Sequence, residues 1–343
     1  MRAHLRTVVV VGLAVALVAW FLRNADLSSV GAELRRGRPG LLALALLATL
    51  TTYATRSLRW QYLLRGIGPT RYLTAFRTTV IGFAVSFLLP ARAGEVVRPY
   101  LLAQHEGLPF TATFATVILE RVLDMVSVLT LFSAYLLLGG PGAEQASPAM
   151  FRAVKVGGFV AAAGTAVILA VFFLLAGRPE ALGRAALRAE RVLPARLAHL
   201  VARLAQTFAE GLAAVRNPQH LAMVLLWSVP LWLSIALGIW LVSLAFHIAF
   251  PFPAAFLVMT VLVVGVAVPT PGAVGGFHEA YRFAVTTFFQ APNDRAVGAA
   301  LILHAISFVP VTLLGIVFMA QEGLTLGRVR VLARRAGTKE DQR

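Results

Sequence analysis

The chain has 343 residues, of which 59% are hydrophobic and 13% charged, with 31 Lys and Arg against 15 Asp and Glu and no cysteine. A charged fraction about half that of a soluble chain, together with long uncharged runs, excludes a soluble two-domain protein and identifies a polytopic membrane protein. The missing cysteines exclude disulfides and thiol chemistry, and the seven His form no HxxxH or HxH pair, so no metal and no cofactor is expected.

Six segments, 5–22, 41–64, 110–138, 154–177, 219–248 and 295–320, are long enough as helices to cross about 30 Å of hydrocarbon. The first follows Arg2 and Arg6 as a signal peptide would, but Trp20-Phe21-Leu22-Arg23 offers no small-residue cleavage site, so a retained helix is expected. Basic residues gather in four blocks: Arg2 and Arg6, the stretch 56–77 with Arg56, Arg59, Arg65, Arg71 and Arg77, the stretch 178–216, and the tail from Arg328. Alternating crossings put all four on one side, which predicts cytoplasmic N- and C-termini. The positive charge is then a topology signal and a contact for anionic lipid, not a nucleic-acid surface. One loop, 23–40 with Arg23, Arg35, Arg36 and Arg38, falls on the outer side against this rule.

Within 178–216, Leu193, Leu197, Leu200, Leu204, Phe208, Leu212 and Val215 recur every three or four residues, which predicts an amphipathic helix at the cytoplasmic interface. The chain thus reads as one integral membrane domain, 1–327, followed by a basic cytoplasmic tail, 328–343.

Two apolar stretches are interrupted by Pro and Gly. The first arm, 78–90, leads through Pro90 and Gly94 to Glu95 and Arg98; the second, 254–268, leads through Pro271, Gly272, Gly275 and Gly276 to Glu279 and Arg282. As helices these arms reach only roughly 20 to 22 Å, too short to span. Each is therefore expected to be a re-entrant hairpin, and three crossings separate the matching spans of units 41–138 and 219–320. The predicted fold is all-α, with six long transmembrane helices and two broken hairpins in an inverted repeat, the architecture of alternating-access carriers. Exposed backbone at such breaks must be buried in protein or line water, so the two tips predict a polar cavity.

The span 110–138 carries Glu120, Arg121 and Asp124 at membrane depth, where charges should face inward and pair. With Arg92, Glu95, Arg98, Glu279 and Arg282 they form a set of eight whose charges cancel. Arginine's fork suits a phosphate, so an anionic headgroup could displace the carboxylates, with Glu95, Glu120 and Glu279 as candidate proton carriers. His278 and His304 are expected to be hydrogen-bonded core residues.

The runs Leu89-Pro90-x-Arg92-x-Gly94-Glu95-x-x-Arg98, Glu120-Arg121-x-x-Asp124 and Pro271-Gly272-x-x-Gly275-Gly276-x-x-Glu279 resemble the flippase-like membrane domain of bacterial phosphatidylglycerol lysyltransferases and its stand-alone relatives, the lysylphosphatidylglycerol synthase transmembrane-region proteins. The resemblance implies lipid translocation between leaflets of the bacterial inner membrane, with Arg92, Glu95, Arg98, Glu120, Arg121, Asp124 and Glu279 near the pathway. No aminoacyl-transfer domain follows residue 320, so no enzyme activity is expected. Two alternatives stay open: a carrier of a small soluble ion or metabolite, and a non-transporting membrane partner of a lipid-modifying enzyme. So do a homo-oligomer and the identity of the lipid.

Overall fold

The computed structural model describes residues 27–89, 92–140, 148–177, 218–267 and 270–324. The expected helix 5–22, the amphipathic segment 178–216 and the tail 328–343 lie outside the described residues. Among the described residues the protein is all-helical: α1 (Leu27–Arg36), α2 (Pro39–Leu64), α3 (Tyr72–Leu88), α4 (Gly94–Glu106), α5 (Phe110–Leu137), α6 (Pro148–Gly177), α7 (Pro218–Ala245), α8 (Ala255–Ala267), α9 (Gly276–Phe289) and α10 (Asn293–Gln321). Short 3₁₀ turns at Phe252–Ala254 and Pro271–Ala273 lead into α8 and α9.

Among the described residues, three helices are both long and apolar enough to cross a membrane: α2, α7 from Gln219, and α10. Helix α5 matches them in length, but Glu120, Arg121 and Asp124 interrupt its apolar run. The protein is a membrane-embedded, multi-pass chain. The stretch 23–40, which ran against the charge rule, holds α1. Val30 of this helix is buried and Glu33 pairs with Arg295 of α10 at 3.4 Å and with Arg36 at 3.5 Å.

Helices α2 and α7 form the central pair, in extensive contact. Without a hydrophobic drive between helices in lipid, close packing of small residues and interhelical hydrogen bonds hold such a pair. Ala45 and Ala48 lie against Gly238, and the Thr52 and Ser234 hydroxyls share a 2.7 Å hydrogen bond. The pair is antiparallel: the N–H of Arg38, just before α2, donates to the carbonyl of Ala245, the last residue of α7. Replacing Thr52 with Val should cost about 0.6 kcal/mol, the typical value for a hydrogen bond between helices in a membrane, measurable by reversible unfolding in mixed micelles. No loss would mean that Ser234 finds another partner at no cost.

The remaining contacts follow one scheme on both sides of this pair. Helix α3 packs on α4, and α8 on α9; α4 packs on α5, and α9 on α10; α3 packs on α10, and α8 on α5. The arms α3 and α4 open at the face where α2 ends, because Gln61 donates to the Thr70 carbonyl and Arg71 pairs with Glu106. The arms α8 and α9 open at the opposite face, where α7 ends, since Trp240 donates to the Phe250 carbonyl and the Phe250 ring stacks on Phe289. The two breaks therefore point toward each other inside the bundle.

Candidate functional site

Each break is pinned by a glycine contact between its arms. A Cβ on Gly94 would overlap the carbonyl of Gly82 and crowd the hydroxyl of Ser86, so α3 and α4 touch backbone to backbone. A Cβ on Gly265 would overlap Ala280 and meet the carbonyl of Gly276, the same arrangement between α8 and α9. The chain then turns through left-handed backbone, at Arg92 (φ 51°) in the first break and at Gly272, Ala273 and Gly275 (φ 61°, 55° and 89°) in the second. A side chain there costs about 1 to 3 kcal/mol and persists only where surrounding contacts hold it. Arg92 is held across the breaks: its Nη2 donates to the carbonyl of Val266 at 2.7 Å, in the last turn of α8, where carbonyls lack helical partners.

Two imidazoles close the second break. His304 Nε2 donates to the Gly272 carbonyl at 2.7 Å, and His278 Nδ1 accepts the Gly275 N–H at 3.2 Å. The partners fix the protons: Nε2 of His304 is protonated, and Nδ1 of His278 is not. Their rings lie 4.5 Å apart, and His304 stacks on Phe308 at 4.3 Å. Among the described residues no imidazole closes the first break, and α4 begins at Gly94 with no side-chain cap.

Behind the first break lies a buried ionic network. Glu120 and Asp124, four residues apart, share one face of α5, while Arg56 and Arg59, three apart, share one face of α2. Glu120 Oε1 accepts from Arg121 Nη2 at 2.6 Å, Arg98 Nη1 at 3.1 Å and Arg56 Nη1 at 3.2 Å. Asp124 takes Arg59 at 2.6 Å and Arg56 at 3.2 Å, and the second arm of Arg59 donates to Ser228 of α7. The Arg98 guanidinium lies 3.7 Å over the Trp60 ring. Its Nε and Nη2, like Glu120 Oε2, have no hydrogen-bond partner among the described residues.

The space in front of Arg98 is a cavity of about 140 Å³, close to the roughly 150 Å³ that admits a benzene ring in an engineered protein cavity. The charged side chains Arg92, Glu95, Arg98 and Arg121 line it together with Gly94, Ser86 and the apolar Phe83, Phe87, Phe308 and Val266. Its lining is mostly apolar, with the charged groups among the aromatic rings.

The family model for the lysylphosphatidylglycerol synthase TM region matches residues 7–315. The chain belongs to this family. A UPF0104 membrane protein of Methanothermobacter thermautotrophicus is 26% identical over 289 residues, 81% of this chain and 82% of that protein. A stretch of 131 residues is 30% identical to Glycosyltransferase AglD of Haloferax volcanii, 37% of this chain but only 21% of that protein. A UPF0104 membrane protein of Methanocaldococcus jannaschii is 29% identical over 99 residues, 27% of this chain and 30% of that protein.

In this member of the lysylphosphatidylglycerol synthase TM region family the sequence-predicted residues fall into three groups. Arg92, Gly94, Glu95, Arg98 and Arg121 line the cavity. Glu120 and Asp124 stand behind them as the acceptors of the network. Pro271, Gly272, Gly275 and Gly276 build the second break, whose Thr270 and Ala273 reach the cavity. Glu279 and Arg282 pair with each other at 2.7 and 3.0 Å, and Arg282 also reaches Asn293; neither lines the cavity.

The neutral set of eight is therefore not the set that assembles. Arg56 and Arg59, assigned from the sequence to a cytoplasmic block, lie buried at the centre of the network instead. The two Glu-x-x-Arg runs are also not equivalent. Arg98 and Ala280 hold the same place against Gly82 and Gly265, and Glu95 pairs with Arg92 at 3.7 Å, not with Arg98.

Proposed function

We propose that this protein carries a lipid with an anionic headgroup between the leaflets of the plasma membrane, as a flippase-like carrier that makes and breaks no covalent bond. Its termini lie on the cytoplasmic side, where the basic blocks belong. The broken helices are re-entrant hairpins of an inverted repeat. Arms of 17, 13, 13 and 14 residues reach roughly 20 to 26 Å, less than a bilayer core. That they open at opposite faces and that their packing partners exchange between the halves support this reading.

One observation carries the proposal: a buried, partly unpartnered arginine lines the same cavity between the breaks as Phe83, Phe87, Phe308 and Val266. The charged groups receive a headgroup, and the apolar side chains receive the chains that follow it. A carrier for a small polar solute has no use for the apolar lining.

Reconstitution with fluorescently labelled phosphatidylglycerol tests the reading. The parent should move label between leaflets, and Arg98→Ala should slow it at least tenfold, equivalent to about 1.4 kcal/mol in the barrier. Glu279→Gln, outside the cavity, should retain most of the rate. Vesicles in which no labelled lipid, anionic or zwitterionic, crosses faster than in protein-free controls would defeat the proposal.

The likeness to a stretch of Glycosyltransferase AglD favours a second reading, a membrane partner that presents lipid to a glycosyl-transferring enzyme without moving it. Loss of glycosylation in cells lacking the protein, with no lipid movement in vesicles, would select it.

A further inference from the structure

The charges around the cavity do not cancel. Arg56, Arg59, Arg92, Arg98 and Arg121 stand against Glu95, Glu120 and Asp124, an excess of two positive charges: one among the buried side chains Arg56, Arg59, Arg98, Glu120 and Asp124, and one on Arg121, whose side chain is 35% exposed. Charge held out of water costs several kcal/mol per ion unless it is paired. The excess cannot be relieved by proton loss, because arginine keeps its proton, and protonating a carboxylate would enlarge it. An anion from outside the chain, seated in the cavity, would balance the buried charge and Arg121 together.

The donors for that anion lie beside the cavity. Arg98 is 3% exposed and lines the cavity; its unpartnered Nε and Nη2, one edge of the guanidinium, are themselves buried, so this edge meets a ligand once the guanidinium turns toward the cavity. This edge is the fork that takes two oxygens of one phosphoryl group. Arg121, whose side chain is 35% exposed, borders the same space. The uncapped start of α4 at Gly94 adds first-turn N–H groups and the positive end of a helix dipole.

We propose that the cavity binds a phosphoryl group carrying two negative charges, as a phosphomonoester or a diphosphate end, in preference to a singly charged phosphodiester. This narrows the headgroup of the carrier reading and rests on it for the attached chain; the charge argument stands apart from it. Two charges on the ligand match the excess of two. A phosphodiester leaves one arginine uncompensated, and a zwitterion leaves both.

Binding to the purified full-length chain in neutral detergent at pH 8 gives the test, since a phosphomonoester with a second pKa of about 6 is then doubly charged. The probes are dioleoyl phosphatidic acid, dioleoyl phosphatidylglycerol, dioleoyl phosphatidylcholine and inorganic phosphate. Phosphatidic acid should bind at least tenfold tighter than phosphatidylglycerol, and phosphatidylcholine most weakly. Arg98→Lys keeps the charge and loses the fork, and should reduce that preference. Arg121→Gln removes a charge from a side chain that is 35% exposed, leaves Arg56 and Arg98 on Glu120, and should do the same.

Equal binding of phosphatidic acid and phosphatidylglycerol, or a preference unchanged in Arg121→Gln, overturns the inference. Inorganic phosphate that displaces phosphatidic acid at comparable concentration identifies a soluble phosphate as the ligand, with the doubly charged group upheld. The two readings fail separately. Equal binding together with phosphatidylglycerol movement in vesicles removes the charge preference and keeps the carrier, whereas tight phosphatidic acid binding with no lipid movement does the reverse.

Discussion

Glu120→Gln should destabilise the protein by about 3 to 5 kcal/mol, the cost of removing one partner from a buried ion pair. The fully buried Glu120 carboxylate takes Arg56, Arg98 and Arg121 on one oxygen. An amide of the same shape removes the charge, leaving Arg56 and Arg121 with Asp124 and Arg98 without its carboxylate partner. Thermal or denaturant unfolding of the purified protein measures the effect. Glu95→Gln is the matched comparison, the same chemical change where both side chains are 39% or more exposed and the pair is 3.7 Å long. It should fall within about 1 kcal/mol of the parent. Equal losses in the two variants would show that the network at Glu120 is wet and loosely paired.

Gly94→Ala should be the most damaging of the small substitutions. Added bulk in a packed interior costs about 1 to 3 kcal/mol where side chains can adjust, but here the methyl group meets the Gly82 carbonyl, which is backbone. The arms α3 and α4 would have to part, which moves Arg98 relative to Glu120 and reshapes the cavity. Stability and lipid movement should therefore fall together. Gly157→Ala in α6 offers the contrast, because nothing lies within 4 Å of the added atom. Alanine should be neutral there, or stabilising by up to about 1 kcal/mol through helix propensity. A Gly94→Ala protein as stable as the parent would mean that the arms are not in contact.

The helix breaks were legible because Pro90, Gly94, Pro271, Gly272 and Gly275 interrupt apolar runs, and backbone chemistry is a local property. The long helices lie within a few residues of the expected segments for the same reason. Partnerships were harder to read, since they depend on which faces meet. Arg56 and Arg59 sit at the end of an apolar run with Arg65 beyond, which resembles a cytoplasmic flank. Length carried the missing signal: residues 41–55 reach only roughly 23 Å as a helix, short of the bilayer core, so Arg56 had to lie at membrane depth. The i,i+3 spacing to Arg59 matches the i,i+4 spacing of Glu120 and Asp124 and points to facing stripes.

The match between the two Glu-x-x-Arg runs misled in the opposite direction. Glu95 is the second residue of α4 and Glu279 the fourth of α9, so the runs fall on different helical faces. Only the glycine contacts reveal the register, with Arg98 aligned to Ala280.

That alignment bears on kinetics. With a cation on one hairpin and a methyl group at the matching point of the other, the electric field along the route is lopsided. In the carrier proposed above, a headgroup arriving from one leaflet would be drawn in early, and one arriving from the other only late. Microscopic reversibility still forbids an asymmetric barrier from concentrating lipid in one leaflet by itself, so any lasting accumulation must draw on an ion gradient or on removal of the product.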